Sequence, residues 1–213
     1  MPGIRVVTDS ACDLPPELAE EYDIDIVPLT IRFGGDELVD RRDLTPTQFW
    51  ARCAQSPVLP ETAAPSPGAF EDAFRRALAD GCDGVVSVNL SSDLSATYQS
   101  AQMAARAVAD AIPVRVIDSR SITMGEGVMA LTAAKAARES KDIDEVAGAA
   151  EDLVGRVKVF GALDTLENLK KGGRIGGAQA ALGGMLSIKP IIEVSNGKVE
   201  PESKQRTRSR SLR

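Results

Sequence analysis

Histidine is absent from all 213 residues. Imidazole is the usual general base near neutral pH and the usual partner of a serine or cysteine nucleophile, so Ser-His-Asp and Cys-His arrangements within the chain are excluded. Histidine-ligated zinc and HExxH sites go with them. Cysteine is scarce as well. Cys12, Cys53 and Cys82 are scattered, odd in number and without CxxC spacing, which predicts free thiols rather than a disulfide framework or a zinc site. No apolar run approaches the roughly 20 residues that cross a bilayer, so no integral membrane segment is expected. The start, "MPGIRVVTDS", runs directly into a strand without the regions of a signal peptide, and a cytoplasmic location is expected. Neither a Walker A pattern nor a GxGxxG after a strand occurs, so these devices for holding ATP or dinucleotides are missing.

What is present is a chain able to bury a substantial core, with 43% hydrophobic and 26% charged residues. Its net charge of −6 is unevenly spread. The last ten residues, "KQRTRSRSLR", carry five cations and no acid, so the preceding 203 carry −11. That balance argues against nucleic-acid binding by the main body. The basic end reads either as a tail that touches polyanions or as the start of a helix that the chain cuts off, and the second reading is preferred.

Strand-like and helix-like segments alternate along the chain. Residues 4–10 read as a buried strand and 14–22 as a helix with proline in its first turn. Residues 24–40 read as a hairpin about Gly34-Gly35-Asp36, 45–55 as a helix, and 56–68 as a proline-rich loop. Ser66 is a plausible N-cap with Pro67 at the first helical position. Phe70, Phe74 and Leu78 follow at i, i+4, i+8 as one buried face. Then come a strand at 84–90, a helix from about 95 to 110, a strand at 114–118, a helix over about 121–139, and a helix over 142–155 capped by Asp142. Such alternation implies βαβ crossovers: an α/β fold with a mostly parallel sheet and flanking helices over residues 1–156. From 157 the pattern changes to the beginning of a second α+β unit, incomplete over 157–213. It holds a glycine-rich basic loop around Arg174 and a hairpin over 186–203 turning at Asn196-Gly197.

Ligands of parallel α/β sheets sit at the carboxyl ends of the strands. Three strands here end in small polar residues: Thr8-Asp9-Ser10, Ser91-Ser92 and Asp118-Ser119. Each could simply cap the helix that follows. Together they also describe an anion site without cations, because a hydroxyl at a helix start, the unpaired N–H groups of its first turn and the helix dipole attract a carboxylate or phosphate. Within "VVSVNLSSDLSATYQSA", Ser95 opens the expected helix and is one such hydroxyl. An alternative is an enzyme for a small phosphorylated or hydroxylated substrate, with Asp9 or Asp118 as base. A third reading is a regulatory protein whose Arg174 loop binds a partner.

The segments "VVTDSACDLP", "TAAPSPGAF", "SSDLSATYQSA", "VIDSRSITMGEG", "LDTLENLKKGGRI" and "LSIKPII" resemble, in order and spacing, those of the DegV family. The resemblance implies a two-domain protein that holds a long-chain fatty acid between its domains and presents the carboxylate to a separate fatty acid kinase. It implies a lipid carrier with no catalytic group, metal or cofactor of its own. It places the carboxylate-binding hydroxyls at Thr62 and Ser95, supported by the cluster of Asp9, Ser10, Ser91, Ser92, Asp118 and Ser119, and the kinase-facing arginines at Arg174 and Arg206. The chain departs from the family pattern at Ala64, where a glutamine is usual, and at Asp93 and Ala96, where glycines are usual. Asp93 is expected to point to solvent, since an inward charge would repel the guest. The family's carboxylate site also takes a histidine from sequence beyond residue 213. The expectation is therefore a chain truncated within its second domain, with weak or no lipid affinity as it stands.

Overall fold

The computed structural model describes residues 3–140, 142–182 and 189–212. Its centre is a four-stranded sheet formed by β1 (Ile4–Asp9), β2 (Ile24–Val27), β6 (Gly84–Asn89) and β7 (Val114–Asp118), in the order β2-β1-β6-β7 with every pair parallel. The fold is α/β, as the alternation predicts. Strand β6 is buried along its whole length, because helices cover both faces of the sheet. Val6, Val86 and Val88 face α5 (Met124–Glu139) and α6 (Ile143–Glu151), whereas Val7 and Val85 face α3 (Pro67–Ala79) and α4 (Thr97–Ala107). The order of connection reverses between β1 and β6, which makes their carboxyl ends the topological switch point.

Local chemistry explains most element boundaries. Ser66 accepts from the Ala69 amide at the start of α3, with Pro67 next in line. Thr45 and Gln48 form a reciprocal capping box at α2 (Pro46–Gln55). Asp142 caps α6, and Gly155, at φ +81°, turns the chain after it.

Four expectations need correction. Residues 24–40 are not one hairpin: β2 belongs to the parallel sheet, and only β3 (Thr30–Phe33) and β4 (Asp36–Val39) pair as a hairpin. The proline-rich loop contains β5 (Glu61–Ala63), which joins that hairpin as a third, antiparallel strand in the order β4-β3-β5. Leu78 is not on the buried face of α3. Eight residues advance a helix by about 80° beyond two full turns, so the stripe shifts to Phe70, Ala73, Phe74 and Ala77, all fully buried, and Leu78 is 38% exposed. Finally, α4 begins at Thr97 and α5 at Met124, each later than expected, because the residues before them are held in turns by side-chain bonds.

A second antiparallel sheet, order β10-β9-β8, follows: β8 (Val159–Ala162), β9 (Lys189–Ser195) and β10 (Lys198–Gln205). Between β8 and β9 lies α7 (Glu167–Lys171), and α8 (Arg208–Ser211) closes the described chain. Asn196 and Gly197, at φ +51° and +83°, form the expected hairpin turn. The start of that hairpin at 186–188, and Arg213, lie outside the described residues. No helix among the described residues is long and apolar enough to cross a membrane.

Candidate functional site

The carboxyl ends of β1, β6 and β7 converge, and the loop after β6 is at their centre. Ser91 is fully buried. Its amide donates to the Ser121 carbonyl at 2.9 Å, and its hydroxyl donates to the Gly197 carbonyl at 2.7 Å and accepts from the Asp93 amide at 3.2 Å. Ser92 donates its amide and hydroxyl to the two oxygens of Asp118 at 3.2 and 2.5 Å. These two serines therefore shape the turn, and their hydroxyls are already engaged. Asp118 also accepts from the Arg120 amide, binding the loops after β6 and β7 together.

Ser95 is different. It does not open α4, since Ala96 holds the N-cap position, but its oxygen accepts from the Thr97 amide at 3.3 Å and exchanges a hydrogen bond with the Thr97 hydroxyl at 2.9 Å. It is half-buried, its amide donates to the Ser91 carbonyl at 3.1 Å, and its hydroxyl bonds only to the helix start among the described residues. The arrangement leaves one polar side chain at the positive end of an 11-residue helix, whose first-turn amides have no intrahelical acceptors.

Thr62 lies on β5, opposite Ile31 across the pair, and is exposed at the edge of the small antiparallel sheet. Ser10 is buried and its hydroxyl accepts from the Leu29 amide at 3.0 Å, so it fixes the chain after β2. Ser119 is buried too. Its oxygen accepts from the Ser121 amide at 3.2 Å, and its amide donates to the Asn89 carbonyl at 3.0 Å.

Asp9 stands at the switch point itself and is fully enclosed. One oxygen accepts from the Ala11 amide at 3.0 Å; the other accepts from the Leu90 amide at 3.0 Å and the Asn89 side chain at 3.4 Å. With no exposed surface and three donors already bound, Asp9 does not face a substrate in the crevice. Burial nevertheless pushes its carboxyl above the usual range, against the pull of those donors. Beside it lies Glu126, in the first turn of α5, a residue that sequence reasoning missed. Burial, and then the charge of Asp9, hold the Glu126 carboxyl well above the ordinary value. An acid in a helix's first turn ordinarily reads as a solvated complement to the dipole, so nothing in "TMGEGVMAL" marks it as buried.

The tip of the β9–β10 hairpin docks onto the same loops. Besides the Ser91 bond, Arg120 donates to the Asn196 carbonyl at 2.6 Å. Leu94 packs among Leu166, Ile175, Ile192 and Val199 in the core of the second sheet. Asp93 is exposed, 3.7 Å from Lys198 and 3.9 Å from Arg120, so its charge is balanced at the surface. Arg174 is exposed yet tethered, donating to the Leu94 carbonyl at 3.2 Å and the Gly172 carbonyl at 2.6 Å. It lines a polar cavity of about 460 Å³ with Asp93, Leu94, Lys198 and Glu200. Arg206 follows the end of β10 and is exposed. No cluster of acidic or cysteine side chains suited to a metal ion occurs among the described residues.

Comparison with known proteins identifies the family and the fold. A family model described as uncharacterised proteins of the DegV family matches residues 3–213. A DegV domain-containing protein of Mycobacterium tuberculosis is 43% identical over 205 residues, covering 96% of this chain and 70% of the relative. A DegV family protein from Thermus thermophilus, whose structure is described by its fatty acid binding, superposes with a TM-score of 0.89 at 36% identity, covering 98% of this chain and 74% of that one. A stearic acid-binding protein from Eubacterium ventriosum superposes with the same TM-score at 29% identity, covering 98% and 72%. With the family model spanning nearly its whole length, this chain belongs to the DegV family.

Proposed function

We propose that this protein binds a long-chain fatty acid without transforming it, receives the carboxylate at Ser95 and Thr62, and presents it to a separate fatty acid kinase. The observation that carries the reading is the half-buried Ser95 hydroxyl at the α4 N-terminus, in a fold shared with proteins described as fatty-acid binding. An anion there meets hydrogen-bond donors and a helix dipole, and the chain has no histidine to turn the serine into a nucleophile. On this reading the protein works in the cytoplasm, with residues 1–156 and 157–213 as parts of two domains that close over the acyl chain. Asp9, Ser10, Ser91, Ser92, Asp118 and Ser119 hold the loops, and Arg174 and Arg206 face the kinase.

The test begins with the full-length protein purified gently from cells and extracted with organic solvent. Mass spectrometry should find about one fatty acid per chain, and Thr62→Ala with Ser95→Ala should weaken oleate binding by about tenfold or more, as expected for loss of charge-assisted hydrogen bonds. Acyl phosphate should form from ATP only when both the kinase and the loaded protein are present. An empty protein, or a double variant that binds oleate normally, removes the assignment. A kinase that binds the empty protein equally well favours a regulatory role.

A further inference from the structure

Glu126 is the most unusual polar residue of the molecule. It is wholly buried on the first turn of α5, and its Oε1 accepts from the Thr8 hydroxyl at 3.0 Å. Its Oε2 has no donor among the described residues. The titratable groups that raise its carboxyl are Asp9 from β1 and the Cys12 thiol from the turn that follows; no basic side chain bonds to either carboxyl among the described residues. A buried acceptor left against another acceptor is costly unless a proton lies between them.

The hydrogen bonds decide which carboxyl holds that proton. Asp9 takes three donors from Ala11, Leu90 and Asn89, which favour its charged form. Glu126 takes one. We propose that Glu126 is a positioning residue for the ligand loops: it keeps its proton at neutral pH and donates it from Oε2 to Asp9. The resulting acid pair clamps the turn after β1, the Asn89-Leu90 end of β6 that leads into the Ser91–Ser95 loop, and the start of α5 together at the switch point. The proton never leaves the pair, and Glu126 touches no ligand. The close approach this needs is visible next door, where a Cβ on Gly127 would stand 2.5 Å from the Cys12 carbonyl.

The position of the proton has a consequence for stability. The folded protein holds a Glu126 proton that the unfolded chain releases near pH 4.3. Stability from this group is therefore complete below that pH and declines as pH rises towards the folded-state value. Compared with Glu126→Gln, whose amide replaces the donated proton, the wild-type folding equilibrium constant should fall about tenfold per pH unit above pH ~4.3, levelling off only where native Glu126 ionises.

The test measures denaturant unfolding of the wild type, Glu126→Gln and Glu126→Ala in the full-length chain across pH 5–9, with oleate affinity at pH 7. We expect the predicted slope in the wild type relative to Gln, near-normal oleate binding in Gln, and about tenfold or greater loss in Ala from a loop no longer held. Infrared spectra in D2O should show a protonated carboxyl band at neutral pH that Glu126→Gln removes. If the Ala variant does not fold, the Gln comparison and the infrared band decide. No slope and no band overturn the inference, as does a Gln variant that binds oleate as poorly as Ala. The role of the clamp in ligand binding rests on the proposed carboxylate site. A wild-type chain that binds no oleate overturns that site, and the acid pair is then judged by slope and band alone, standing if they are present and falling if they are absent.

Discussion

Thr123 sits at φ +51° and ψ −146° immediately before α5, close to a region that only glycine populates freely. A β-branched residue is held there because its hydroxyl donates to Asp13 at 2.6 Å, tying the turn after β1 to the turn after β7. Thr123→Ala keeps the strain and loses the bond, whereas Thr123→Gly loses the bond but relieves the strain. Glycine should therefore be more stable than alanine at this position by about 1–2 kcal/mol, the reverse of their order inside a helix, as read from denaturant midpoints of the two variants. The same scale separates the serines. "SSDLS" shows three hydroxyls of one chemical kind, and their difference lies in what each meets: Ser91 a hairpin tip, Ser92 a carboxylate, Ser95 only the helix start. Its expected place at a helix start and the family resemblance make Ser95 a candidate; the engagement of the other two is a matter of tertiary contact.

At the scale of elements, periodicity carries the reading of helices well and the reading of strand partners poorly. The i, i+4, i+8 stripe of α3 identifies the correct face but overruns it by one residue, because 3.6 residues per turn drift away from a strict four-residue spacing. Phe74→Ala should cost about 3–5 kcal/mol, since the ring is wholly buried, while Leu78→Ala should cost less than about 1 kcal/mol. Thermal or denaturant unfolding of the two variants separates them, and equal costs would contradict the packing described. The segment 24–40 shows the converse limit. Its alternation marks strands correctly, but whether β2 pairs with β3 or with β1 depends on which neighbour buries it, and Ile24 and Val27 are buried in the central sheet. β5, three residues long and embedded in prolines, exists only because β3 offers it an edge.

At the scale of the whole molecule, the β10-β9-β8 sheet meets the central sheet at the Asn196-Gly197 tip as well as through Leu94. Gly197 is required there twice over: its φ is +83°, and a Cβ would stand 2.6 Å from the Ser91 hydroxyl oxygen and 3.0 Å from Asp93. Gly197→Ala should destabilise the protein by about 1–3 kcal/mol and disturb the Ser91–Ser95 loop; amide hydrogen exchange should then show faster exchange in residues 91–95, and unchanged protection would mean that the tip is not a support. The sequence by itself determined the α/β class and a mostly parallel sheet, through the alternation of strands and helices, and the caps at Ser66 and Asp142 and the Asn-Gly hairpin turn, which depend on residues a few positions apart. Only the tertiary structure decided that Thr8 and Glu126, 118 residues apart, share a hydrogen bond at the switch point and that Asp9 is enclosed rather than exposed. Those contacts follow from which loops the sheet order brings together, and burial then raises the carboxyl of an ordinary first-turn glutamate well above its usual value.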